Sequence, residues 1–131
     1  MTKLLTLVVY MAVLTWLTVL VASQLRSKTW TIEGMKLAMG NREQMPEATL
    51  LAGRADRAAR NTVDNFMLFA ALALVAQVSG TASPNVLLGA EIFFWSRLLY
   101  VPVYYAGIVY VRTAIWTVSI VGLGMMVCAV V

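Results

Sequence analysis

The sequence predicts an all-α membrane protein, a bundle of four membrane-spanning helices. Three observations carry that prediction. Of 131 residues, 61% are hydrophobic and 12% charged, about half the charge of a soluble domain and too little to cover a small water-soluble globule. Two stretches, Leu4–Ala22 and Thr113–Val131, hold no charge and approach the ~20 apolar residues that a membrane helix needs. Between them lie two more apolar stretches broken only by isolated polar groups. The same composition argues against an ordinary cytosolic enzyme, a disordered tail and a nucleic-acid-binding domain. The formal charge of +4 reports membrane orientation instead. With one Cys and no His, neither a disulfide framework nor a metal site is expected. Any chemistry must use Arg, Tyr, Asn, Asp, Glu or a reactive atom that a ligand brings with it.

The whole of 1–131 reads as a single membrane domain. Its first span covers about 4–25. The apolar run is longer than the core of a signal peptide, so the span is expected to be retained. A loop follows over Arg26 to Met45, with Gly34, Gly40 and Asn41 as breakers. Pro46 and Glu47 look like a helix start, and good helix formers run from there to Val78. Its apolar part, Phe66 to Val78, gives only about 20 Å of helix. The second span, about 59–79, must therefore take Arg60, Asn61, Asp64 and Asn65 to membrane depth, and residues 26–58 form a loop and helix extension outside it. Ser79 to Asn85 reads as a turn. The third span covers about 86–111 and holds Glu91, Arg97 and Pro102, the last expected to kink it. The chain turns around Arg112, and the fourth span covers 113–131.

Charge sets the orientation. Arg26, Lys28, Lys36, Arg42, Arg54, Arg57 and Arg60 all lie between the first span and the apolar part of the second, and Arg112 falls on the same side. The positive-inside rule places that side in the cytoplasm and both termini opposite, in an inner or plasma membrane.

The functional signal lies on the second helix. Arg57, Arg60, Asn61 and Asp64 stand at i, i+3, i+4 and i+7, on one helical face. Short side chains such as Asn61 and Asp64 cannot snorkel to water, and intramembrane polar clusters are functional by default. Arg54 and Asp56 are read as an ordinary helix end. Small Ala58 and Ala59 allow close approach of another helix. On the third helix, Arg97, Tyr100 and Tyr104 share a face, and Asp64 is the expected ion-pair partner of Arg97. Glu91 lies off that face, free to reach water or pair with Lys3. Together with Arg112 these groups suit a small zwitterionic, carboxylate-rich ligand: Arg grips carboxylates and Asp takes an ammonium. Tyr104 or Tyr100 can donate to a thiolate. Gly122 and Gly124 allow close helix contact in the last span, and Cys128 reads as a small hydrophobe.

The pattern Arg57-x-x-Arg60-Asn61-x-x-Asp64-Asn65 resembles the second-helix signature of the MAPEG family, the membrane-associated proteins in eicosanoid and glutathione metabolism. That signature is approximately Arg-x-x-Arg-Asn-x-x-Glu-Asn. The four-span layout and a third-helix Arg followed at seven residues by Tyr, here Arg97 and Tyr104, extend the resemblance over most of the chain. It implies a homotrimer with glutathione sites between adjacent subunits toward the cytoplasmic side. By position, Arg57, Arg60, Asn61, Asp64, Arg97 and Tyr104 match glutathione-binding positions. Tyr100 falls where some members carry another polar residue. Arg112 matches a later family Arg near the thiol with a one-residue gap. Asp64 replaces the usual Glu, shortening that arm by one methylene. The implied activity is glutathione-dependent transferase or peroxidase chemistry, with Arg112 and Tyr104 at the thiolate and a lipophilic electrophile or hydroperoxide as second substrate. Two alternatives stand beside it. One is a non-catalytic relative that binds an anionic ligand or lipid. The other is a small four-helix exporter, which needs a membrane-embedded carboxylate that the first span lacks.

Overall fold

The computed structural model describes residues 1–131 and contains five helices: α1 (Lys3–Ser27), α2 (Ile32–Met39), α3 (Leu50–Ser79), α4 (Pro84–Ala106) and α5 (Val109–Val130). Four of them, all but α2, are long and apolar enough to cross a membrane. The chain is an integral, multi-pass membrane protein. Its outward surface suits lipid: Trp16, Met67, Leu99 and Tyr110 are among many large apolar side chains left exposed.

Local chemistry sets the helix ends. Thr2, Thr31, Thr49 and Ser83 each turn a side-chain oxygen onto an amide of the following first turn, the usual remedy for unpaired N-terminal donors. The start of α3 therefore differs from expectation. It lies at the Thr49 cap, not at Pro46, and residues 46–48 are outside any helix. The loop expected at 26–45 contains α2. The third turn also moves. α4 runs on through Pro102 and stops at Gly107, whose φ of 75° caps it in the left-handed conformation, a geometry that glycine adopts without strain. Arg112 consequently lies in the first turns of α5 and not in a loop. The Arg54 guanidinium covers this cap so closely that a Cβ at Gly107 would fall 2.7 Å from its Cζ. A cation there complements the negative end of the α4 dipole.

The four long helices divide into two halves along their length. The half that holds both termini has the main apolar core. Leu4, Leu7 and Met11 of α1 meet Phe69 and Ala73 of α3, Phe93 of α4 and Met126 of α5. Phe69 and Phe93 stack with ring centroids 4.6 Å apart. A polar clasp closes that end, where Lys3 pairs with Glu91 at 2.8 Å and the Thr2 hydroxyl donates to Gln77 at 2.8 Å. The other half is packed through small residues. Ala55 and Ala59 of α3 meet Ala22 of α1, and Ala58 meets Tyr100 and Tyr104 of α4. Thinner packing there leaves room for polar side chains.

α4 and α5 cross backbone to backbone at Gly89 and Gly122. A Cβ on Gly122 would stand 2.7 Å from the Gly89 carbonyl oxygen and 2.9 Å from the Phe93 nitrogen, while one on Gly124 would meet nothing within 4 Å. Overpacking against backbone cannot be relieved by a rotamer change and costs about 1–3 kcal/mol. Gly122→Ala should thus lower the melting temperature in detergent by several degrees, and Gly124→Ala should leave it almost unchanged.

Candidate functional site

Residues two apart on a helix point in nearly opposite directions, about 200° around the axis. That fact decides what the polar stretch of α3 does. Thr62 points inward and is fully buried, while Asp64 is exposed. The α4 residue that reaches α3 here is Arg97, itself fully buried. Its Nη2 donates to Thr62 Oγ1 at 2.9 Å, and its Cζ lies 4.1 Å from the centroid of the Tyr100 ring. The expected Asp64–Arg97 ion pair is therefore absent: the carboxylate sits on the wrong side of the helix. Nε and Nη1 of Arg97 have no protein partner, so a hydroxyl and a ring face are the contacts that offset burial of this charge.

The four polar residues of the α3 face divide into two i, i+4 pairs. Arg57 and Asn61 turn toward α4 and α5. Arg57 Nε donates to the Tyr104 hydroxyl at 3.2 Å. Asn61 lines a crevice of about 220 Å³ with Tyr100, Tyr104, Arg112 and Trp116. Arg112 places its Cζ 4.5 Å from the Tyr104 ring centroid. Tyr100 and Tyr104 meet edge to face with centroids 5.5 Å apart. Arg97, Tyr100, Tyr104 and Arg112 thus alternate cation, ring, ring, cation. The favourable cation–π geometry fixes the two tyrosines between guanidinium groups. Asn65, which the sequence placed only at the border of this face, has a defined part: its Nδ2 donates to the Asn61 backbone oxygen at 2.8 Å and to Asn61 Oδ1 at 3.2 Å. It holds the Asn61 amide in place.

Arg60 and Asp64 take the other flank. They line a groove of about 530 Å³ between α1 and α3, together with Arg26, Arg42 and Asp56. Arg60 Nε pairs with Asp56 at 3.0 Å, one turn back. Sequence reading missed Arg26 and Arg42 as companions of this cluster. The run of basic residues before α3 was their one visible signal, and it was read as orientation alone. A single subunit therefore does not gather the eight expected site residues around one point. Asn61, Tyr100, Tyr104 and Arg112 line a crevice on one side of α3, with Arg57 bonded to its Tyr104. Arg60 and Asp64 lie on the other, and Arg97 is inside.

A profile of the MAPEG family matches residues 4–131. The chain belongs to the MAPEG family. Curated proteins and solved structures gave no match. The family includes glutathione transferases and peroxidases as well as non-catalytic members, so membership sets the class of membrane protein without setting an activity.

Thr62 offers a direct check on how the MAPEG bundle tolerates Arg97. Thr62→Val keeps the shape and removes the sole hydrogen-bond acceptor of a buried charge, a loss of about 1.5–3 kcal/mol. The variant should melt several degrees lower than wild type, and Thr62→Ser, which keeps the hydroxyl, should recover most of the difference.

Proposed function

We propose that the protein is a glutathione-dependent transferase or peroxidase of the membrane, working as a homotrimer whose thiol sites lie between subunits. One observation carries this reading. Arg60 and Asp64 are exposed on the surface of a single subunit, in the part of α3 read as spanning the membrane, where lipid cannot solvate charge, and Arg57 is exposed one turn before them. The two polar surfaces lie side by side on α3, one turned toward α4 and α5 and the other toward α1. A head-to-tail ring buries one flank of each subunit against the other flank of the next, and a closed ring leaves no charged flank facing lipid. The crevice around Tyr104 and the groove around Asp64 then form one cavity from two chains. The excess of Lys and Arg at this end supports a cytoplasmic location for it.

The residues fit glutathione. Its two carboxylates call for guanidinium groups, its ammonium for a carboxylate, and its thiol for a hydrogen-bond donor amid positive charge. Glutathione supplies the nucleophilic sulfur; the chain supplies position and charge. The Tyr104 hydroxyl accepts from Arg57, so its own proton is free to point at a sulfur. Arg57 and Arg112, on either side of Tyr104, create the positive field that favours thiolate over thiol. Fixed donors aimed at developing charge are the largest single contribution in many enzymes. Trp116 and Thr113 at the edge of the crevice open it toward lipid, the source of a lipophilic electrophile or hydroperoxide.

Calorimetric titration of purified protein with glutathione tests the reading. Wild type should bind at millimolar concentration or below, and Arg57→Ala should weaken binding by about tenfold or more, the loss expected for a charge-assisted hydrogen bond. Tyr104→Phe should retain most of the affinity and lose about 10²-fold or more in conjugation of a chloronitrobenzene, as enzymes do on losing one oriented donor. Absence of binding to wild type at millimolar glutathione would overturn the proposal. Binding without turnover would make the protein a thiol-peptide binder.

A further inference from the structure

The elbow between α1 and α2 encloses a cavity of about 190 Å³. It shares only Arg26 with the groove beside Asp64. Two cations, Arg26 and Lys28, and two carboxylates, Glu33 and Glu47, line it. None of the four forms an ion pair within the chain, whose salt bridges are Lys3–Glu91 and Arg60–Asp56. Opposite charges thus stand around one small space without meeting. We propose that this cavity binds the phosphoethanolamine headgroup of a membrane phospholipid, with the phosphate toward Ser27, Arg26 and Lys28 and the ammonium toward Glu33 and Glu47. This lipid site is independent of glutathione binding.

A buried hydroxyl marks the anionic end. Ser27 is 2% exposed, and its Oγ has no hydrogen-bond partner. Leaving a buried hydroxyl unpaired costs about 1–3 kcal/mol, and a phosphate oxygen would accept its proton. Local structure fixes this residue in place. Lys28 ends α1 with φ 55°, and its carbonyl oxygen accepts from the Thr31 amide at 2.9 Å and the Thr31 hydroxyl at 2.8 Å. Gly34 of α2 packs against the Ser27 and Lys28 carbonyl oxygens with no room for a Cβ. The elbow is therefore tight and preformed. The N-caps of α2 and α3, Thr31 and Thr49, border the same cavity. They bring to it the positive ends of two helix dipoles.

Depth selects a lipid. α1 has 25 residues, about 37 Å of helix. The hydrocarbon core is about 30 Å thick, so the elbow stands among the headgroups. Size and charge then select among headgroups. The cavity has room for about six waters at ~30 Å³ each, which calls for a compact ligand. A primary ammonium can donate to both carboxylates. The quaternary ammonium of phosphocholine is bulkier and has no proton to donate, and no aromatic ring lines the cavity to receive it. Phosphoglycerol brings no cation and leaves Glu33 and Glu47 unmatched.

Native mass spectrometry of the purified protein in detergent, titrated with the dioleoyl forms of three lipids, tests the site. Wild type should bind phosphatidylethanolamine about tenfold more tightly than phosphatidylcholine or phosphatidylglycerol, the effect of one charge-assisted hydrogen bond. Two variants probe the two ends of the headgroup. Lys28→Asn removes a cation and supplies a residue that accepts the left-handed backbone. The double variant Glu33→Gln with Glu47→Gln removes the carboxylates and keeps their shape. Both should keep the lipid-free melting temperature of wild type. Lys28→Asn should weaken binding of all three lipids, since all carry the phosphate. The double variant should lose only the preference for ethanolamine. Glycerophosphoethanolamine, the same headgroup without chains, should fail to displace the lipid at equal concentration. Equal affinity of wild type for the three lipids overturns the inference. So does an ethanolamine preference that survives in the double variant, or unchanged binding in Lys28→Asn. Displacement by equimolar glycerophosphoethanolamine overturns the assignment to a lipid and gives the cavity to a soluble phosphoester.

Discussion

Charge placed at membrane depth must find a polar neighbour inside the protein, and this one requirement organises the molecule. Lipid offers no hydrogen bonds, so an unpartnered ionised group costs at least a few kcal/mol there. The chain meets the requirement in three ways. At the end that holds the termini, Glu91 is met by Lys3 from a neighbouring helix. In the interior, Arg97 is met by the Thr62 hydroxyl and the Tyr100 ring. On the outer surface of α3, Asp64 has no ion pair within the subunit. The first two close within one chain. The third does not, and that is the premise of the trimer proposed above.

Packing follows from the same requirement. The apolar core is concentrated at the end away from the polar cluster, where Phe69, Phe93, Met11 and Met126 fill space with large side chains. Toward the cluster, alanines replace them. Ala58 brings the α3 backbone close to Tyr100 and Tyr104, which lets Arg57 reach the Tyr104 hydroxyl from the next helix. Had that layer been built of leucine, the same arginine would stand too far off. The half packed with large side chains thus fixes helix positions, and the small-residue half converts those positions into contacts between polar groups.

Much of this was legible in the sequence. The spans follow from length and charge. The shared face of Arg97, Tyr100 and Tyr104 follows from helical spacing, and the Lys3–Glu91 pair was open to inference from position. What could not be read was relative rotation between helices. Arg57, Arg60, Asn61 and Asp64 cover an arc of about 100° at 100° per residue, and sequence alone does not say where within that arc a neighbouring helix divides it. α4 docks beside Arg57 and Asn61, α1 beside Arg60 and Asp64, and the expected partner of Arg97 moved to Thr62. Boundaries failed for a related reason. The sequence predicts the turn around Arg112, whereas the chain turns where Gly107 can adopt positive φ. Arg112 then finds its partner in the Tyr104 ring, not in water.

The placement of the carboxylates also separates the competing functions. Proton-coupled export depends on an acid that can lose and regain its proton in the membrane interior, which in turn depends on its having no fixed cation beside it. Asp56 is bonded to Arg60, and Glu91 is bonded to Lys3. Asp64 shares its groove with Arg26, Arg42 and Arg60. Each of these acids thus has a guanidinium or ammonium group as a neighbour. Such carboxylates are suited to holding a cationic group of a ligand, not to shuttling protons. The absence of histidine is consistent with the same division of labour. A site built of guanidinium groups, one oriented phenol and a fixed carboxylate can bind, orient and stabilise charge without taking up a proton itself.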